Sequence, residues 1–123
     1  MCADILHTGH ILALQEAKEH CDYLIVALNT NPEGKNPVQS VFERYIQLSA
    51  VKYIDQIIPY QGQKDLELLA KSLNYNIRFL GSDYIYEDWD GKTQEQLRGI
   101  EPFFISRRHD MSSTSLKARL IEN

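Results

Sequence analysis

Apolar positions along the chain fall into two alternating rhythms. From Gly9 to about Cys21, Ile11, Leu12, Leu14 and Ala17 recur at helical spacing, while Glu16, Lys18 and Glu19 fall toward solvent. That pattern predicts an amphipathic helix. Tyr23 to Leu28 is instead a continuous apolar run with β-branched members, as expected of a strand covered on both faces. Asn29 to Pro37 is rich in Asn, Pro and Gly and reads as a loop. Ser40-Val-Phe-Glu43 then carries the side chains of a capping box, which predicts a helix running to about Tyr53 with Tyr45 and Leu48 in the core. The alternation continues with strands at 56–60, 77–80 and 102–105 and helices at 64–73, 93–98 and 113–121. A polar and aromatic loop occupies Gly81 to Gly91.

Strands alternating with helices imply an α/β domain, an open parallel sheet wound on both faces in the Rossmann-like manner. One element is short. Only Met1 to Ile5 precede the turn at His7, which leaves room for the end of a strand at most. The first strand of a doubly wound sheet usually lies centrally, beside the switch in chain order where ligands bind. The expected fold is therefore this sheet with its first strand missing or truncated.

Composition narrows the functional classes. At 123 residues and 43% hydrophobic content, a single domain spanning 1–123 with one core is expected. The net charge of −4 comes from interspersed acids and bases with no polybasic run, which argues against nucleic acid or an anionic membrane surface as a partner. No stretch approaches the roughly 20 apolar residues of a membrane span. Cys2 and Cys21 have neither metal-type nor redox-type spacing, so the expectation is a cytoplasmic protein with two reduced thiols.

Two clusters carry candidate chemistry. In His7-Thr-Gly-His10, at the start of the first helix, Gly9 permits close backbone approach, helix-start amides attract anions, and two imidazoles can donate to phosphate oxygens. The four residues by themselves fit a pair of surface or capping histidines equally well. The second cluster, Arg107 to Lys117, sets Ser112, Ser113 and Thr114 at a helix start among Arg107, Arg108 and Lys117. It too reads alone as an ordinary Ser/Thr cap. Two such clusters at two βα turns of one sheet point together to a phosphorylated ligand.

Cys2-Ala-Asp-Ile-Leu-His-Thr-Gly-His10 resembles the cytidylyltransferase signature that ends in His-x-Gly-His. Met111-Ser-Ser-Thr-Ser-Leu-Lys117 resembles that family's Ile-Ser-(Ser/Thr)-Thr-x-x-(Lys/Arg) signature, in the expected order. The segments 21–28, 43–55 and 79–84 resemble its intervening strand, helix and strand-loop segments. The resemblance implies transfer of CMP from CTP, with Mg²⁺, to a phosphorylated small alcohol, glycerol 3-phosphate favoured, and release of pyrophosphate. It implies that His7 and His10 stabilise the reacting α-phosphate and that Ser113 and Thr114 hold outer phosphates. It further assigns Lys35 to phosphate binding, Arg44 and Arg107 to acceptor or nucleotide, and Asp4 and Asp83 to positions near the nucleotide and its Mg²⁺.

The resemblance also implies a homodimer. Its departures are Met1-Cys-Ala3 for Gly-Thr-Phe, Arg107-Arg-His-Asp110 for Arg-Thr-Glu-Gly, and Gly81-Ser-Asp-Tyr84 for Gly-Asp-Asp-Trp, with extra loop at Tyr86 to Gly91. These changes bear on acceptor and base choice. An ATP-using adenylyltransferase relative and a nucleotide-binding relative without catalysis stand as rival readings. For the short N-terminus, the expectation is a truncated form of a longer family member, or a position filled by re-paired strands or by a segment of another molecule. Trp89 is read as packing or as a lid, with packing favoured.

Overall fold

A computed structural model describes residues 1–106. Its elements follow the alternation: α1 (Thr8–Glu19), β1 (Ile25–Asn29), α2 (Val41–Ser49), β2 (Gln56–Tyr60), α3 (Gly62–Ser72), β3 (Ile77–Gly81), a 3₁₀ turn (Ser82–Tyr86), α4 (Lys92–Leu97) and β4 (Glu101–Ile105). The expected last helix lies outside the described residues. α2 begins on the predicted capping box: Ser40 Oγ accepts from the Glu43 amide, and Glu43 Oε1 accepts from the Ser40 amide. It stops at Ser49, short of Tyr53, because Ala50, Val51 and Ile54 close successive short turns onto Gln47, Leu48 and Val51. These turns bring Val51, Tyr53 and Ile54 against the core. Leu48 is fully buried as expected, whereas Tyr45 is 41% exposed on the outer face with Phe42 and Ile46.

The parallel strands form two separate pairs, β1 with β2 and β3 with β4. Hydrogen-bond parity identifies the inner edges. The Gln56 amide donates to Leu24 C=O and the Thr30 amide to Tyr60 C=O, so even-numbered peptide groups of β1 face β2. Odd-numbered ones face away, and two of them are taken by Met1: its nitrogen donates to Ala27 C=O (2.9 Å), and the Asn29 amide donates to its carbonyl (2.8 Å). Met1 is thus one rung of a parallel strand along β1. By the same parity Pro59 and Pro102, which lack an N–H, place their nitrogens on the far edges of β2 and β4. Proline belongs on such terminal edges.

Met1, bonded to β1 and close enough to Arg78 of β3 to feel its charge, stands at the seam between the two pairs. Both pairs share one core, in which Leu14 and Ala17 of α1 pack with Leu24, Val26 and Leu28, and Phe79 and Ile105 of the second pair join them. Among the described residues no helix is long and apolar enough to cross a membrane.

Candidate active site

The His7-Thr-Gly-His10 turn forms a capping box built from two histidines. His7 is the N-cap of α1, and its Nδ1 accepts from the Gly9 amide (2.9 Å). His10 Nδ1 in turn accepts from the His7 amide (3.3 Å), and the rings lie 4.1 Å apart, centroid to centroid. An imidazole nitrogen that accepts carries no proton, so the neutral tautomer of each ring bears its hydrogen on Nε2. His10 then keeps one N–H donor for a ligand. Burial first, and His7 second, lowers the His10 pKa to about 4, so this ring is neutral at physiological pH.

His10 lines an open cleft of about 320 Å³ together with Cys2, Asp4, Lys35, Asn36 and Pro37. The structure thus brings together three residues expected at a phosphate site, His10, Lys35 and Asp4, with His7 and Gly9 in the adjoining turn. Asp4 is a staple as well as a wall: its carboxylate accepts from the amides of Val38 and Gln39, each at 2.9 Å. Gln39 Oε1 accepts from the Ile5 amide (2.8 Å). These bonds hold Ala3 and Ile5 at φ of 57° and 51°, a left-handed conformation that non-glycine residues rarely adopt. Such strain persists where surrounding bonds over-determine it, commonly at functional sites. Here it turns the chain from the β1 edge into α1.

Arg44 supports the same floor from beneath. Its side chain is 2% exposed, and its guanidinium donates to the carbonyls of Cys2, Asn29, Thr30 and Gln39 at 2.7–3.3 Å. It is a buried fastener, neither a helix-surface ion-pair partner nor a wall of the cleft. Asp83 lies on the exposed 3₁₀ turn after β3, outside the cleft lining. Arg107, Ser112, Ser113 and Thr114 lie outside the described residues.

Two buried acids were not legible as such. Glu16, expected toward solvent, is 5% exposed and accepts from the amide (3.0 Å) and hydroxyl (2.7 Å) of Ser106. Its polar character and helical phase both suggest the outside, and its partner is ninety residues away. Glu95 is 2% exposed and accepts from Tyr75 Oη (2.6 Å), Trp89 Nε1 (2.8 Å) and Arg78 Nη1 (3.1 Å). Burial, reinforced by that bond, raises the Tyr75 pKa well above the usual phenol range. Trp89 is accordingly packed, edge-on to Phe104, with its indole N–H committed to Glu95. A lone signal, a Trp and a Glu six residues apart around a short helix, hinted at this hub.

Known proteins place this geometry in context. The family model described as cytidylyltransferase-like matches residues 2–119. Glycerol-3-phosphate cytidylyltransferase of Staphylococcus aureus is 30% identical over 95% of this chain and 88% of its own length. The Bacillus subtilis protein of the same name is 28% identical over 95% of this chain and 90% of its own. Bifunctional protein HldE of Hyphomonas neptunium is 32% identical over 96% of this chain, which spans only 25% of that relative. A lipopolysaccharide core biosynthesis protein from Thermoplasma volcanium superposes with a TM-score of 0.73 at 26% identity, over 89% of this chain and 93% of that one. The match across nearly the whole chain, with the histidine box and its cleft in place, makes the protein a member of the cytidylyltransferase-like family, a nucleotidyltransferase.

Proposed function

We propose that the protein transfers CMP from CTP to a phosphorylated small alcohol, glycerol 3-phosphate first among them, with release of pyrophosphate. The observation that carries this reading is the two-histidine capping box, which leaves an Nε2–H of His10 free at a cleft that also holds Lys35. An acceptor phosphate already has a nucleophilic oxygen near neutral pH. The site then has to align two anions and stabilise the charge that builds on the α-phosphate. In-line attack by the acceptor oxygen forms the new P–O bond as the bond to pyrophosphate breaks on the opposite side.

His7 and His10 donate to the non-bridging α-phosphate oxygens, His10 as a neutral ring, and Lys35 adds the positive charge. By the family resemblance, Ser112, Ser113 and Thr114 bind the nucleotide's phosphates, Ser113 and Thr114 the outer ones, and Arg107 binds the acceptor or the nucleotide. Among the described residues no three His, Cys, Asp or Glu side chains are grouped to hold a metal. Mg²⁺ commonly rests on substrate phosphates with only one or two carboxylates, which fits a cleft with Asp4 on its wall. Bound there, it would neutralise part of the triphosphate charge.

The test is pyrophosphate release from CTP or ATP with Mg²⁺ and a panel of phosphorylated polyols, sugars and amino alcohols. The expected result is release with CTP and glycerol 3-phosphate. Release with ATP alone, or with another acceptor alone, would replace this substrate assignment. Release with no pair would support a binding protein without catalysis.

A further inference from the structure

Three bonds tie Gln39 into the site, and the proposed reaction does not yet use any of them. Its amide donates to Asp4 Oδ1 (2.9 Å), its carbonyl accepts from Arg44 Nε (3.3 Å), and its side-chain Oε1 accepts from the Ile5 amide (2.8 Å). The first two are backbone bonds that any residue but proline would keep. The third belongs to the glutamine side chain and joins segments 34 residues apart. The Gln39 backbone is held independently of that bond, because Ser40 follows as the N-cap of α2 with a complete capping box.

Ile5 needs such a bond. At φ of 51° it sits in the left-handed region, which a β-branched residue enters only at a cost of roughly tenfold in population. Strain of this kind persists where the surroundings hold it. Two residues further on, His7 opens α1, and four residues before Gln39 stands Lys35, on the same cleft as His10. The Ile5 peptide is therefore the joint at which the histidine turn takes its direction relative to the lysine loop. We propose that Gln39 is a positioning residue for the α-phosphate: its bond to the Ile5 amide holds the turn bearing His7 and His10 in place against the loop bearing Lys35. This rests on the roles given above to His10 and Lys35.

Pyrophosphate release by the full chain, with the nucleotide and acceptor it uses, tests it through three substitutions. Gln39→Met, which keeps the reach of the side chain and removes its acceptor, should lower kcat about 10²-fold, the usual cost of a small misplacement. Adding Ile5→Gly should recover at least tenfold of that loss, since glycine takes the left-handed conformation without the bond. Lys35→Ala should cost at least tenfold in the wild-type protein and less than threefold beside Gln39→Met, because a lysine already out of place has little left to contribute. Should Gln39→Met fail to fold, Gln39→Asn, whose oxygen is withdrawn by one methylene, takes its place in the same comparisons. Turnover of Gln39→Met within threefold of wild type, a loss that Ile5→Gly does not recover, or a Lys35→Ala cost that is the same in both backgrounds would each leave Gln39 a plain structural anchor and overturn the proposal. Failure of the underlying reading looks different: no pyrophosphate release from any pair, or wild-type turnover indifferent to Lys35→Ala and His10→Gln, overturns both.

Discussion

His10 already spends its Nδ1 on the His7 amide, and burial beside His7 lowers its pKa to about 4, against an ordinary value of 6.5. Between those two values the unfolded chain takes up a proton that the folded one refuses. Stability should therefore fall as pH drops from about 6.5 to about 4 and owe nothing to this group above pH 7. Urea unfolding across that range checks it, with His10→Gln expected to flatten the slope. The same variant separates cap from catalysis. Gln is a standard third residue of a capping box, and Asn a standard N-cap, so His10→Gln and His7→Asn should keep the helix start. Each nevertheless removes an Nε2–H, and turnover should fall by about 10²–10³, the cost typical of one lost donor to a developing oxyanion. Turnover within threefold of wild type in either variant would refute the assigned role. These residues were legible because helix starts and phosphate sites share one grammar of short polar side chains and Gly. Arg44 and Glu16 were not, because their partners are carbonyls and a serine brought in from distant sequence.

Element by element, the reading succeeded where local chemistry decides the outcome. The α2 start was legible from Ser40 and Glu43 and β2 from its apolar run, and both lie where the sequence places them. The helix end was not, since Val51 and Tyr53 leave α2 for packing against the core and not for any local stop signal. α2 also illustrates how an element serves the site. Its second turn supplies Arg44, which ties the end of β1, the N-terminal segment and the Lys35 loop through four carbonyls. Replacing Arg44 with Met would leave those carbonyls without their donors in the interior, at a cost of about 3 kcal/mol or more. Ser40→Ala at the head of the same helix should cost only about 1 kcal/mol, the usual loss for an N-cap. Chemical denaturation of the two variants should show that order. Equal losses would mean that the carbonyls find other partners when Arg44 is gone.

At the scale of the whole molecule, the sheet divides into two parallel pairs with Met1 at the seam between them. The composition of the strands anticipates it: Pro59 and Pro102 close the outer edges, and the edges that remain able to pair, those of β1 and β3, face each other across the seam. Met1 already makes one rung there, bonded to Ala27 and Asn29. As an ammonium, that nitrogen is held to a pKa of about 6 by burial first and by Arg78 next. Joined to a preceding residue it becomes a neutral amide making the same bond to Ala27. A fused segment of about six β-branched and apolar residues ahead of Met1 would continue the ladder along the odd-numbered peptide groups of β1, including those of Ile25, and offer its other edge to β3. Because Cys2, Ala3 and Asp4 follow directly and line the cleft, a firmer strand there also firms the wall under His10. The fusion should raise the melting temperature by several degrees and increase turnover together. A matched fusion with Pro at alternate positions, which cannot donate to a ladder, should do neither. If both fusions behave alike, the two strand pairs are already complete as they stand, and the seam is not a place for a further strand.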